Sequence, residues 1–476
     1  MESRDIFRNL SPLDHRYYLS NKDLFNSLSD YLSEEATVNY SIRVEAALLE
    51  THLLMQQSTG ENNTFNVSKL MFKISPEMVY EEEELTNHHM RALVNVIKKN
   101  VPIGISHLVH LGATSVDIID TSTSLRMKDV TRKVILPLLM ELLEDIIKLA
   151  DEEAETPQVG RTHGQHAVPV TLGFSLAEYV ARLGKSIVNI EKLSLDLRGK
   201  LAGAVGAYNA SSLLVKDPRK LERKFLSILG LQPSEYATQM VEPEYLLRLL
   251  LEINVAFGII ANLADDLRHL QRTEIDELRE LFTDTQVGSS TMPQKRNPWN
   301  SEHVKSLWKA FSPRVMTFYM DQISEHQRDM SNSASSRFVA DYISGFAAAL
   351  ARMKKIVTTI KVDRNRLLKN ITFHGDLVLA EAAYVLLSVS GDADAHERVR
   401  KITLDCEKTG KSLGDELKAD KKLWQIISRR LLDTSGKDPE EFFSHPENYR
   451  GLAVEKTKEI TGIYKEKLKE LMEKLK

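Results

Sequence analysis

Three long stretches without proline, 171–201, 244–282 and 314–368, constrain the fold more than any other feature. Proline breaks a helix interior, and here its absence coincides with helical periodicity. In the first stretch Leu172, Leu176, Tyr179, Val180, Leu183, Ile187 and Ile190 recur at helical spacing. In the second, apolar residues nearly surround the helix through 246–251 and 253–261, which predicts burial on most sides. Residues 118–154 carry the same signal, with Pro137 a kink or boundary. Strong strand alternation is hard to find anywhere in the chain.

Helices much longer than the average of about 11–12 residues, with buried faces, pack as a bundle. The expected fold is therefore all-α, with a central long-helix bundle at 112–364. A smaller N-terminal domain spans 1–111. A C-terminal helical domain spans 365–476, its helices shortened by Gly391, Gly410, Gly414, Gly436 and Pro439. The last segment, 454–476, reads as an amphipathic, charge-rich helix, solvated or packed against another subunit.

Composition narrows the function. The chain has 476 residues, 42% hydrophobic and 27% charged, enough for a large core and unlike a disordered chain. A formal net charge of -4 argues against a basic nucleic-acid-binding face. No apolar run stands out as long enough to span a bilayer, and the charged start MESRDIFRNL lacks the apolar core of a signal peptide. The single cysteine, Cys406, cannot form an intrachain disulfide and has no evident His partner in LDCEKTG. The expectation is a cytoplasmic protein with neither a nucleic-acid nor a membrane partner.

Four segments fit neither a plain helix nor a generic loop. In HLGATSVDIIDTS (110–122), Gly112 and the Thr114-Ser115 pair precede a helical pattern. Hydroxyls and N–H groups there can hold a carboxylate or phosphate, or simply cap the helix. In VGRTHGQHAVPVTLG (159–173), His163 and His166 lie in a Gly- and Pro-flanked loop before a long helix. Two His residues three apart raise a metal site, but no carboxylate or Cys accompanies them nearby. A proton donor suits a loop His better, since its pKa lies near neutrality.

The third segment is VGSSTMPQKRNP (287–298). It is either a helix–helix linker or a mobile lid, with Ser289, Ser290 and Thr291 behind Gly288. Lys295 and Asn297 are suited to a substrate carboxylate. A serine base would have to be ionised or coupled to a neighbour inside a closed, electropositive site. The fourth segment is HQRDMSNSASSRF (326–338), where Arg328, Ser333 and Arg337 would share one helical side. That grouping suits a phosphate, or is ordinary surface solvation.

Together these segments resemble the fumarase/aspartase superfamily, whose signature loop GSSxMPxKxNP is matched by GSSTMPQKRNP. Within it the chain is most similar to the adenylosuccinate lyase family. RTHGQHAVP at 161–169, TSVDIIDTS at 114–122, RDMSNSASSR at 328–337 and SPLDHRY at 11–17 carry that likeness, which runs through nearly the whole chain. ENYRGLA at 447–453 is similar to the family's C-terminal domain.

The resemblance implies elimination of fumarate from adenylosuccinate and from a succinyl-carboxamide ribotide, with no metal or cofactor. It implies a homotetramer in which three subunits build each active site. It makes Ser290 the general base and His163 the general acid. It assigns Lys295, Asn297, Thr114 and Ser115 to the succinyl carboxylates, with Thr162 and Ser289 beside them. His88, in NHHMRALV, and Gln239, in ATQMV, match the family's substrate-binding His and Gln. Arg328, Ser333 and Arg337 would face the nucleotide, the last two taking its phosphate, with Arg16 and Tyr17 closing the site.

Some positions depart from the family pattern. His89 stands where the family has Asp, His15 where Gly is usual, and VEPEY follows Gln239 in place of an Arg-rich stretch. MPQK replaces the common MPHK and is similar to argininosuccinate lyase, the rival enzyme. A non-catalytic structural protein on the same fold is the rival of another class. Loss of the base or the acid would mark it, and both Ser290 and His163 are present.

Overall fold

The computed structural model describes residues 5–57, 65–283 and 285–475. The first four residues of the charged N-terminal stretch lie outside them. The long-helix pattern produces nine helices that matter for the site. These are α1 (Glu34–Gln57), α2 (His89–Asn100), α3 (Ser115–Val130), α4 (Leu136–Glu152), α5 (Leu172–Leu195), α6 (Glu244–Leu270), α7 (Trp299–Phe311), α8 (Val339–Thr359) and α9 (Ala453–Leu475). The architecture is an all-α bundle.

Helices α4 to α9 form the bundle, with α5 lying against α4, α6 and α9. The periodic residues of α5 read from the sequence are all buried. Its entry is sharp because the Thr171 hydroxyl accepts the N–H of Phe174 at 3.1 Å. Between α3 and α4 the chain stays helical through a π turn at Thr131–Ile135. Pro137 has no N–H for the carbonyl four residues back, and the wider turn absorbs that defect.

Apolar packing divides the chain differently from the boundaries expected at 111/112 and 364/365. Val38, Ile42, Leu93 and Ile97 share a core with Ile118 and Leu125 of α3 and with Phe225 and Leu226. The start of the expected bundle thus belongs to the N-terminal core. A separate core spans Leu379 to Phe443. Helix α9 leaves that core and returns to the bundle, burying Tyr464, Leu468 and Leu471 there. It is a packed helix of its own chain as well as a charged surface.

The α5–α9 contact depends on Gly184. A Cβ there would lie 2.2 Å from the Tyr464 ring. Gly184→Ala should destabilise the protein by about 1–3 kcal/mol through overpacking, seen as a lower urea midpoint. An unchanged midpoint would mean the two helices do not meet this closely.

Four expectations on secondary structure need correction. Segment 159–173 is not an open loop but a hairpin, β1 (Pro157–Thr162) paired with β2 (Gln165–Thr171). Its two-residue turn puts His163 at φ 55° and Gly164 at φ 74°, the left-handed pair of a type I′ turn. Helix α6 ends at Leu270, and Leu278–Arg279 pairs with Lys361–Val362 as a short ladder. Residues 321–334 form turns and bends, because the Ser324 hydroxyl accepts the Asp329 N–H and the Asp329 carboxylate accepts the N–H groups of Glu325 and Ser331, in place of a continuing helix. The single helical side expected for Arg328, Ser333 and Arg337 therefore does not exist.

The fourth concerns α6. Its length and composition would suffice to cross a membrane, contrary to the reading that no run is long enough, yet more than half of that stretch is buried inside the bundle. The burial on most sides expected for this helix is met within the single chain. Among its large apolar residues only Val255 is exposed.

Candidate active site

The signature loop is compact, and Gly288 shows why. A Cβ on it would lie 2.2 Å from the Lys295 carbonyl oxygen and 2.9 Å from the Phe282 ring. The glycine permits a close backbone approach here, where free motion of a lid was expected. The Asn297 amide donates to the Gly288 carbonyl at 3.0 Å. The Ser289 hydroxyl accepts from the N–H of Met292 at 3.1 Å. Ser289 and Asn297 thus shape the loop, while Ser290 and Lys295 remain exposed on it.

The loop leaves into α7, whose first N–H groups need an acceptor. The Glu280 carboxylate accepts from the N–H groups of Asn300 at 3.2 Å and Ser301 at 2.8 Å, and from the Ser301 hydroxyl at 2.6 Å. Arg352 donates to the Asn300 side-chain oxygen at 2.8 Å and stacks 5.0 Å from the Trp299 ring. Nearby, the Tyr17 hydroxyl is hydrogen-bonded to His303 Nε2 at 2.9 Å. Burial, then the charges of Arg352 and Arg16, push the His303 pKa down. Arg16 and Tyr17 therefore sit at the α7 end of the loop.

A second group gathers at the start of α3. Asp117 is fully buried, accepts the Thr114 N–H at 2.8 Å and forms an ion pair with the equally buried Lys200. It also accepts the N–H groups of Ala202 at 3.1 Å and Gly203 at 3.2 Å. Thr114 and Ser115 are presented on this brace. One turn on, Asp120 accepts the Val241 N–H at 2.9 Å, which ties down the strap carrying Gln239. Burial pushes the Asp120 pKa up to about 6, against the pull of that N–H, Lys200 and Arg328. The Gln239 side-chain oxygen accepts from Arg328 at 3.2 Å. Thus Gln239 and Arg328 meet within one chain, and Asp120 ties their strap to the helix that Thr114 and Ser115 begin.

His163 and Thr162 stand at the exposed tip of the hairpin. His166, across the ladder, is packed against the rings of Phe373 and His374 at 6.1 and 5.7 Å. Burial, then Arg161 and His374, push its pKa down, so it favours the neutral form. Among the described residues no group of three or more His, Cys, Asp or Glu is placed to hold a metal ion.

His88, His89 and Arg337 lie toward the N-terminal part of the chain. His88 caps α2, its Nδ1 accepting the Arg91 N–H at 3.2 Å. His89, at the family's Asp position, pairs with Glu83 at 2.8 Å. Arg337 is exposed, and its charge opposes the rise of the Tyr80 pKa that burial and Glu34 drive to about 12. Tyr80 lies edge-on to His89 at 6.0 Å. Ser333 is in the turn before the 3-10 segment Ser335–Phe338. Among the described residues no hydrogen bond or ion pair links Ser290 to His163. Cys406 is buried, which pushes its thiol up and leaves it unreactive.

Known proteins decide among the superfamily's members. A family model described as "Lyase" matches residues 55–311, and one described as "Adenylosuccinate lyase C-terminal" matches 324–438. The adenylosuccinate lyase of Archaeoglobus fulgidus is 30% identical over 468 residues, covering 96% of this chain and 99% of its own. That of Pyrococcus horikoshii is 30% identical over 460 residues, covering 96% and 98%.

The chain belongs to the adenylosuccinate lyase family.

Its fold is shared more widely in the fumarase/aspartase superfamily. A 3-carboxy-cis,cis-muconate lactonizing enzyme from Pseudomonas putida superposes with TM-score 0.77 at 23% identity, covering 93% of this chain and 97% of that one. A fumarate lyase from Mesorhizobium sp. BNC1 gives 0.77 at 19%, covering 92% and 97%. In this adenylosuccinate lyase family member, sequence reading missed the supports of the site: Asp117, Lys200, Glu280 and His303. Only the spacing of Asp117 after Thr114, a capping-box pattern, offered a signal.

Proposed function

We propose that the chain eliminates fumarate from adenylosuccinate, leaving AMP, and from succinyl-aminoimidazole-carboxamide ribotide in purine biosynthesis. The observation that carries this reading is likeness to adenylosuccinate lyases over 96% of the chain. The matching C-terminal model supports it.

In the reaction Ser290 removes a proton from the carbon beside a succinyl carboxylate. The electron pair moves into that carboxylate, where Lys295, Asn297 and nearby hydroxyls stabilise it. The pair returns to form the fumarate double bond as the C–N bond breaks, and His163 protonates the departing nitrogen. The substrate's own carboxylate is the electron sink, so no metal or cofactor has a step to perform. Thr114, Ser115, Thr162, Ser289, His88 and Gln239 position the substrate, and Arg16 and Tyr17 close over it. Ser333, Arg337 and Arg328 take the nucleotide end.

Ser290 and His163 are both exposed and not joined within one chain. This supports a homotetramer whose sites draw on several subunits. A cytoplasmic location goes with that reading. Mixing the inactive variants Ser290→Ala and His163→Ala under subunit exchange should restore part of the activity, because some mixed sites inherit both intact residues. A monomer by light scattering would defeat the assembly; a tetramer whose mixture stays inactive would put both residues of a site on one chain.

Fumarate release should be fast with adenylosuccinate and negligible with argininosuccinate, which carries no phosphate for Ser333 and Arg337. The opposite ranking would make the chain an argininosuccinate lyase. No release from either substrate would favour the non-catalytic reading.

A further inference from the structure

The hairpin that carries His163 is divided by a bulge. Its base pairs Pro157, Gln158 and Val159 with Thr171, Val170 and Pro169, and the register then shifts between Val159 and Arg161. Gly160 occupies the shift because a Cβ there would lie 2.6 Å from the Val168 carbonyl oxygen. A bulge breaks the ladder and lets the far part re-aim. The tip, from Arg161 to His166, therefore needs its own anchor.

That anchor is Glu277. Its carboxylate is fully buried and takes both guanidinium nitrogens of Arg161, Nη1 at 3.1 Å and Nη2 in a closer contact. It also accepts the side-chain amides of Gln158 and Asn370, each at 2.9 Å. Its own backbone is bound on both sides, its N–H to the Leu270 carbonyl and its carbonyl to the Asp363 N–H, both at 2.9 Å. Asn370 lies three and four residues before Phe373 and His374, the rings against His166. The two faces of the tip are thus tied to one rigid neighbourhood.

We propose that Glu277 is a positioning residue for the general acid. Through its forked bond to Arg161, two residues before His163, it sets where the imidazole stands relative to the leaving nitrogen. This rests on His163 being the acid, as proposed above. Glu277 touches no reacting atom itself. A misplacement of about 1 Å in a catalytic group can cost on the order of 10²-fold.

The test uses the full-length assembled protein and adenylosuccinate. Glu277→Gln keeps the shape but removes the charge that holds Arg161. It should lower kcat about 10²-fold while changing KM less than about threefold. Arg161→Lys keeps the charge but not the fork and should lower kcat about tenfold, which covers failure of the first variant to fold. Added to His163→Ala, Glu277→Gln should change the residual kcat less than about twofold, because its effect passes through the missing imidazole. Loss of rate on both backgrounds would show a general structural role and overturn the proposal. Near wild-type kcat in Glu277→Gln and Arg161→Lys, with His163→Ala inactive, would overturn it alone. A fully active His163→Ala would instead remove the acid assignment and the proposal with it.

Discussion

Ser290→Ala should leave folding and assembly intact and lower kcat by on the order of 10³-fold or more, as expected for loss of a catalytic base. The side chain is exposed and belongs to no apolar core. The loop's internal bonds come from Ser289 and Asn297 instead, so the truncation removes chemistry and almost no packing. Steady-state fumarate release from the purified variant, with its oligomeric state checked by light scattering, reads the effect. A variant that keeps a tenth or more of wild-type turnover would rule Ser290 out as the base.

Breaking the buried pair beneath Thr114 should have the largest effect on stability. Lys200 and Asp117 are both wholly removed from water. Lys200→Ala would leave a buried carboxylate without its counter-charge, at a cost of about 3–5 kcal/mol. The N–H groups of Thr114, Ala202 and Gly203 would still satisfy part of Asp117, which sets the estimate below full desolvation of an ion. Urea unfolding at matched protein concentration measures it. A loss under about 1 kcal/mol would mean that the amides alone hold the carboxylate. At concentrations where the variant stays folded, its KM should rise, because Thr114 and Ser115 sit on this brace.

Some of this site is legible in local sequence because it depends on local chemistry. Thr114 and Asp117 mark a helix start. Gly288 with two prolines marks a loop between helices. The hairpin escaped notice since its turn is His163-Gly164, not the Asn-Gly or Asp-Gly that usually signals a type I′ turn. Residues 321–334 passed for helix because they lack proline, although the Ser324 and Asp329 side chains compete for the backbone. Glu277, Glu280 and Lys200 look like ordinary surface charges in sequence. Only partners far along the chain, such as Arg161 and Asn370 for Glu277, turn them into supports, with Glu277 and Lys200 fully buried.

Periodicity by itself determined that α5 and α6 would be helices with buried faces, since a helix turns its apolar residues to one side whatever it later meets. The motif residues likewise pointed to the chemistry, as their side chains carry it anywhere in the fold. Tertiary structure alone decided that α9 joins the bundle, that the first turns of α3 belong to the N-terminal core, and that Gln239 meets Arg328. Each of these is a contact between residues far apart in the chain, chosen by which surfaces fit once the helices exist, and no local spacing records that choice.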